Sequence, residues 1–180
     1  MRIAKEEDEE DKEKPISATL LDEKTLKAYA DDSVSALTDA NEASIAFVWE
    51  CKKHRILFFG DASPKVVSEN LNKVYADLPK PIVFDAIKVS HHGSAHSTIK
   101  EQFKVADSEL YFVTGGAKVR PSFQALSRIV TAPMSGNINH REIRYNRQNE
   151  ILQTLDEAEE LKKKFHYSIE ANKNEYELSD

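Results

Sequence analysis

The sequence predicts an α/β domain in which helices flank a mixed sheet. Short apolar runs bounded by turn residues alternate along the chain with runs of helical period, the pattern of a layered α/β fold. Two apolar runs, residues 43–50 and 56–59, are separated only by the charged turn Cys51-Lys-Lys-His-Arg55. That spacing is too short for a crossover, so the two form an antiparallel hairpin inside a sheet whose other strands follow helices. The 180 residues, 40% hydrophobic and 31% charged, suit one domain with a real core.

Residues 5–14 read KEEDEEDKEK. Nothing apolar there offsets the entropy of ordering, so residues 1–14 are expected to be a solvated acidic tail or linker, with partner binding as the alternative. Residues 15–180 form the folded part. Residues 16–21 alternate and are β-prone, which predicts a strand, and residues 22–39 suit a loop with a short helix. In the run 43–50, period-two alternation puts Ile45, Phe47 and Trp49 on one face. The continuous apolar run 56–59 reads as a strand buried on both faces.

Ser63-Pro64 is a helix start, a serine cap with proline at the first helical position. Val67, Leu71, Val74 and Leu78 recur behind it, and Pro79 and Pro81 end the helix. Residues 84–89 are the next strand and run directly into His91-His92-Gly93-Ser94. Residues 110–114 are another, stopped by Gly115-Gly116. Pro121 opens a second helix with Phe123, Leu126 and Val130 on one face, and residues 142–145 suit a short strand. A third helix spans 149–165, with Ile151, Leu155, Ala158 and Leu161 inward. Weak strands are expected at 167–170 and 176–178.

Composition excludes several classes. No apolar run approaches the roughly 18 residues of a membrane span, and no apolar stretch of a secretory leader opens the chain, so cytoplasmic residence is expected. The net charge of −6 argues against broad attraction to nucleic acid, leaving a local basic groove open. Cys51 is the single cysteine, so neither an intrachain disulfide nor a cysteine-rich zinc site can form. It reads as a small residue near a strand edge.

Asp61 and His91 each fall just past the end of a predicted strand, where loops are held by the sheet beneath and open to solvent. A carboxylate can bridge two cations, and a neutral imidazole is a good zinc ligand. Gly60 lets the chain turn sharply toward the site, and Gly93 does the same after the histidines. Taken singly, Gly60-Asp61 is an ordinary turn, and the His91-His92 pair can be a surface accident or a satisfied polar cluster. Their occurrence at two successive strand ends favours a functional reading.

Asn41-Glu-Ala-Ser-Ile45, Ile56-Leu-Phe-Phe-Gly-Asp61 and Phe84-Asp-Ala-Ile-Lys-Val-Ser-His-His-Gly-Ser94 together resemble the second half of metallo-β-lactamase-fold hydrolases. The closest likeness is to the branch with the ComEC hydrolase domain and the phosphorylcholine esterases. It covers residues 41–129, about half the chain, and the His-His-Gly-Ser segment is its most specific part. The resemblance implies half of an αββα sandwich with a C-terminal helix–strand extension. It implies hydrolysis of a phosphodiester or related anionic ester at a two-metal centre of zinc or manganese. Asp61 would be the bridging ligand and His91 the terminal one. His92 would face substrate or support the ligand, with the reverse assignment of His91 and His92 open. Ser94 and Ser97 would shape the loop.

Two departures qualify these implications. The family's first half carries a His-x-His-x-Asp-His motif, and none of His54, His91, His92, His96, His140 and His166 forms His-x-His. Asp61 with one or two histidines falls short of two sites of about three protein ligands each. The chain is therefore expected to be inactive by itself, as a truncated or split domain needing a complementary N-terminal half or self-association. The alternative is a non-catalytic interaction or regulatory module that kept the half-fold. Where relatives have His-Pro, this sequence has Arg120-Pro121. Arg120 could hold an anionic substrate through its fork of donors, or lie as an exposed arginine at a helix start. His96 is a spare ligand or a solvated loop residue, His140 is structural, and His54 and His166 are assigned nothing.

Overall fold

The computed structural model describes residues 17–34, 37, 39–115, 120–147 and 149–171, apart from the side chains of residues 39 and 40. The acidic segment 1–14 and the expected strand at 176–178 lie outside them. Helix α1 (Glu23–Asp31) begins at Asp22, whose carboxylate accepts from the Thr25 amide at 2.7 Å, a helix cap of the usual kind. A short turn α2 (Asp39–Glu42) precedes the hairpin of β1 (Phe47–Cys51) and β2 (His54–Phe58). Then come α3 (Pro64–Val74), β3 (Ile82–Phe84), β4 (Ala86–Lys88), α4 (Lys100–Phe103), β5 (Ala106–Ser108) and β6 (Leu110–Val113). The chain continues through α5 (Phe123–Thr131), β7 (Arg141–Tyr145), α6 (Glu150–Glu157), α7 (Glu159–Phe165) and β8 (Tyr167–Ala171).

The main sheet has six strands in the order β1-β2-β4-β6-β7-β8, and β3 and β5 form a separate parallel pair. β1 and β2 are antiparallel, and every other neighbouring pair is parallel. The α/β class with a mixed, helix-flanked sheet is as expected. From β2 onward the order advances steadily in one direction. Crossovers between parallel strands are right-handed in nearly all proteins, so such a sheet collects its crossover helices on one face.

Burial follows that rule. The row Leu57, Ile87, Tyr111, Ile143 and Ile169, in register across five strands, is buried. The same face carries Arg141 and Tyr167, whose side chains donate to Ile129 O of α5 at 3.0 Å and to Leu155 O of α6 at 2.9 Å. Helix α1 packs on α5, with Tyr29 and Phe123 stacked at 5.3 Å. The opposite face carries Phe47, Trp49, Ile56, Phe58, Lys88, Phe112, Glu142 and Arg144, none of them buried, while Ala86 and Leu110 on the same face are buried. Phe47 is 52% and Trp49 43% exposed, with Phe47 stacked on Phe58 across the hairpin at 4.6 Å.

Several expectations are corrected. Residues 18–20 form a 3-10 turn rather than a strand. Ser17 Oγ and Thr19 Oγ1 bond each other at 2.8 Å, a local alternative to ladder pairing. Strand β2 is buried on one face only, because Ile56 and Phe58 lie on the half-covered side. Helix α3 ends at Val74, leaving Val74 and Leu78 exposed. Its cap is also not the expected one: Ser63 makes no side-chain cap bond, and Pro64 at the first position removes one of the donors a cap would satisfy.

The single strand expected at 84–89 is two strands in different sheets, broken at Asp85. The Asp85 carboxylate accepts from the Arg55 amide at 2.7 Å and lies 3.2 Å from His54 Nδ1. Helix α5 is capped by Ser122, which accepts from the Ala125 amide at 3.1 Å, so the helix opens two residues after Pro121. The third helix is two helices parted at Ala158, whose ψ of 67° interrupts the run.

Candidate functional site

Because β2, β4 and β6 run parallel, their C-terminal ends share one rim of the sheet. Gly60-Asp61 leaves that rim after β2 and Ser90-His91-His92-Gly93 leaves it after β4, and Arg120, just before α5, meets His91 there. Topology thus gathers Asp61, His91 and Arg120, which are far apart in sequence.

Two glycines are required here. Gly60 has φ +58°, and a Cβ on it would lie 2.3 Å from Ile45 O. Gly93 has φ +79°, and a Cβ would lie 2.5 Å from Pro121 Cβ. His91 and His92 also take positive φ, 40° and 56°. Side-chain-bearing residues held there store about 1–3 kcal/mol each, so the surroundings must hold the turn in place. They do so through the His91 amide and Ser90 Oγ, which both donate to Gly60 O at 2.9 and 3.0 Å. On the other side, the Ser122 amide and Oγ both donate to Gly93 O, at 2.9 and 3.2 Å.

The turn aims the two histidines differently. His91 Nε2 lies 3.9 Å from Asp61 Oδ2 and 2.5 Å from Arg120 Nη1. Its Nδ1 lies 3.4 Å from Asn41 Nδ2 and 3.5 Å from Ser97 Oγ. His92 is exposed and turned away, its Nδ1 2.5 Å from Thr114 O. A carbonyl accepts only, so His92 Nδ1 carries the proton and donates. Of the two histidines, His91 therefore converges with Asp61. Arg120 is 9% exposed, which corrects its reading as an exposed helix-start residue. Its carbonyl accepts from Tyr145 Oη at 2.8 Å and from Asn149 Nδ2 at 3.0 Å.

Three contributors were not singled out in the sequence. Ser44 Oγ accepts from the Asp61 amide at 3.1 Å, tying the rim to the segment before β1. Burial pushes the Lys88 ammonium below its usual range, and the Asp61 carboxylate opposes that shift. Arg128 of α5 is 1% exposed and donates to Ala95 O, Thr98 O, Asp32 O and Ala30 O, at 2.6 to 3.3 Å. It fastens the segment after the histidines to the end of α1. Its signal in the sequence is an arginine inside the apolar run Ala125-Leu-Ser-Arg-Ile-Val130. Ser94 and Ser97 are buried in that segment, and Ser94 Oγ accepts from the His96 amide at 3.3 Å.

The donors present do not fit a divalent ion on their own. Among the described residues no three His, Cys, Asp or Glu side chains converge, and a tetrahedral zinc site takes about three protein ligands. The nitrogen of His91 nearest Asp61 already faces a guanidinium. Among the described residues no helix is long and apolar enough to cross a membrane. No family model matches the chain, and no curated protein or solved structure matches it either.

Proposed function

We propose that this chain supplies one side of a hydrolase site for a phosphodiester or related anionic ester, with the remaining groups contributed by a complementary polypeptide. The observation that carries this reading is the convergence of Asp61 and His91, each just past the end of a parallel strand, with Arg120 from the approach to α5. Such rims are where open α/β sheets bind ligands. Arg120 would hold the ester's anionic oxygens through its planar fork. Any zinc or manganese chemistry requires ligands beyond those described here. The complement would cover the sheet face of Phe47, Trp49, Ile56, Phe58 and Phe112, since apolar surface of that kind marks an interaction site.

The test is turnover of bis-p-nitrophenyl phosphate with zinc or manganese. The isolated chain is expected to be inactive, and co-expression with its complement should give activity that Asp61→Ala abolishes. Turnover by the chain alone would overturn the half-site reading.

A second reading, a non-catalytic interaction or regulatory module, is favoured by the close approach of Arg120 to His91, which occupies the ring nitrogen nearest Asp61 from within the chain. Under it, Asp61→Ala and His91→Ala would leave partner capture intact and no co-expressed protein would restore hydrolysis.

A further inference from the structure

The contact between Arg120 and His91 decides what kind of cation this rim holds. A guanidinium is always protonated and has donors only. Its Nη1 lies 2.5 Å from His91 Nε2, so the nitrogen must accept through its lone pair. The imidazole proton is then on Nδ1, where Ser97 Oγ lies 3.5 Å away as acceptor, and the Asn41 carboxamide 3.4 Å away must turn its oxygen toward that proton. A metal ion binds imidazole through that same lone pair. Arginine and metal are therefore mutually exclusive on His91.

The Asp61 carboxylate gives the same answer. Two ligands of one tetrahedral zinc, each at ~2.0 Å, sit roughly 3.3 Å apart. His91 Nε2 and Asp61 Oδ2 are 3.9 Å apart, so they would have to close as well as shed the arginine. The backbone of Arg120 is held in place: the residue is nine-tenths buried, and its carbonyl is held by Tyr145 and Asn149. Its neighbour Pro121 lies against Gly93 so tightly that a Cβ there would clash. The backbone that presents the guanidinium and the backbone that presents the imidazole are thus one packed unit.

We infer that Arg120 is the resident cation on His91 Nε2, and that in the chain alone it excludes a divalent metal from the Asp61–His91 pair. This concerns the chain by itself and holds whether or not a complement exists. A failure of the hydrolase reading would appear in turnover, and a failure of this inference in metal binding.

The experiment is competition for zinc between the metal-free full chain and a chromophoric chelator. The wild-type chain, Arg120→Ala, Arg120→His and His91→Ala are compared. Whatever zinc the wild type takes should be unchanged in His91→Ala. Arg120→His, which adds a third donor, should bind one further equivalent at least 100-fold tighter, and the double variant with His91→Ala should lose it. A wild-type zinc equivalent that disappears in His91→Ala would overturn the inference. So would unchanged zinc affinity in folded Arg120→Ala and Arg120→His.

Nitrogen-15 NMR of the wild-type imidazoles decides the matter even if the variants fail to fold. His91 should be protonated at Nδ1 with Nε2 as acceptor, before and after zinc is added. Protonation at Nε2, or a zinc-induced shift of that nitrogen, would overturn it.

Discussion

The two faces of the main sheet are built by the same strands and have opposite fates. One face, running from Leu57 through Ile87, Tyr111 and Ile143 to Ile169, is sealed under helices. The other, running from Phe47 through Phe58, Lys88 and Phe112 to Arg144, stays half-covered. The difference teaches that strand composition alone does not say how many faces are buried. Apolar residues stand on both sides of β1, β2 and β6. What separates the faces is the direction in which the chain winds, which stacks the crossovers on one side.

The sealed face also holds the most demanding polar group. Arg141 is fully buried and meets Asp107 through Nε and Nη2 at 3.0 and 2.8 Å. Its Nη1 donates to Ile129 O and Ala132 O, and Tyr111 Oη donates to Asp107 Oδ1 at 2.7 Å. Asp107→Ala strands the buried guanidinium, and such losses cost about 3–5 kcal/mol. Urea denaturation should show that drop. A loss under about 1 kcal/mol would mean that water reaches Arg141 and that this face is not sealed.

Truncating apolar side chains comes next in size. Ile143→Ala should cost about 2–5 kcal/mol, the range for a fully buried aliphatic residue. Ile56→Ala, on the other face and paired with Trp49 across the hairpin, should cost about 1 kcal/mol or less in the isolated chain. Equal losses at the two sites would erase the distinction between the faces.

Alkaline pH tests the sealed face without mutation. Burial holds the phenols of Tyr111, Tyr145 and Tyr167 above their usual range, with Asp107 adding to the shift at Tyr111. These groups stay protonated in the folded chain where the unfolded chain has already lost the proton. Their stabilisation is therefore complete below the ordinary tyrosine range near pH 10 and is lost as pH rises above it, by about 1.4 kcal/mol per pH unit per phenol. Absorbance at 295 nm should show these phenols ionising only together with unfolding. Reversible ionisation in the folded chain would show them open to solvent.

The smallest signal is optical and sharpens the other side of the comparison. Trp49, the single tryptophan, lies on the half-covered face. Its emission should be red-shifted and readily quenched by acrylamide, and should move to the blue when a complement binds. Blue, unquenched emission from the isolated chain would place a second copy over that face.

Much of the architecture was legible in the sequence because it rests on local signals. The hairpin, the strand at β6, the start of α3 and the inward stripe of α6 and α7 follow from periodicity and turn residues. The failures were places where a distant group decides. Asp85 breaks a strand because the backbone of β2 lies beside it. The pair β3 and β5 was missed because Ala106-Asp-Ser108 carries no apolar alternation. Its middle residue, Asp107, is held by Arg141, 34 positions away.

The candidate site divides along the same line. By itself the sequence determined that Asp61 and the His91-His92 turn stand just past strand ends, because a strand's end and a glycine after it are local properties. It left open which histidine converges with the aspartate and what Arg120 does. Only the tertiary structure decided these, since the positive φ at both histidines and the packing of Pro121 against Gly93 turn His92 to Thr114 and bring Arg120 onto His91. The order of the strands brings Asp61 and His91 to one rim, and the close contact there puts a guanidinium on the histidine that was expected to bind a metal.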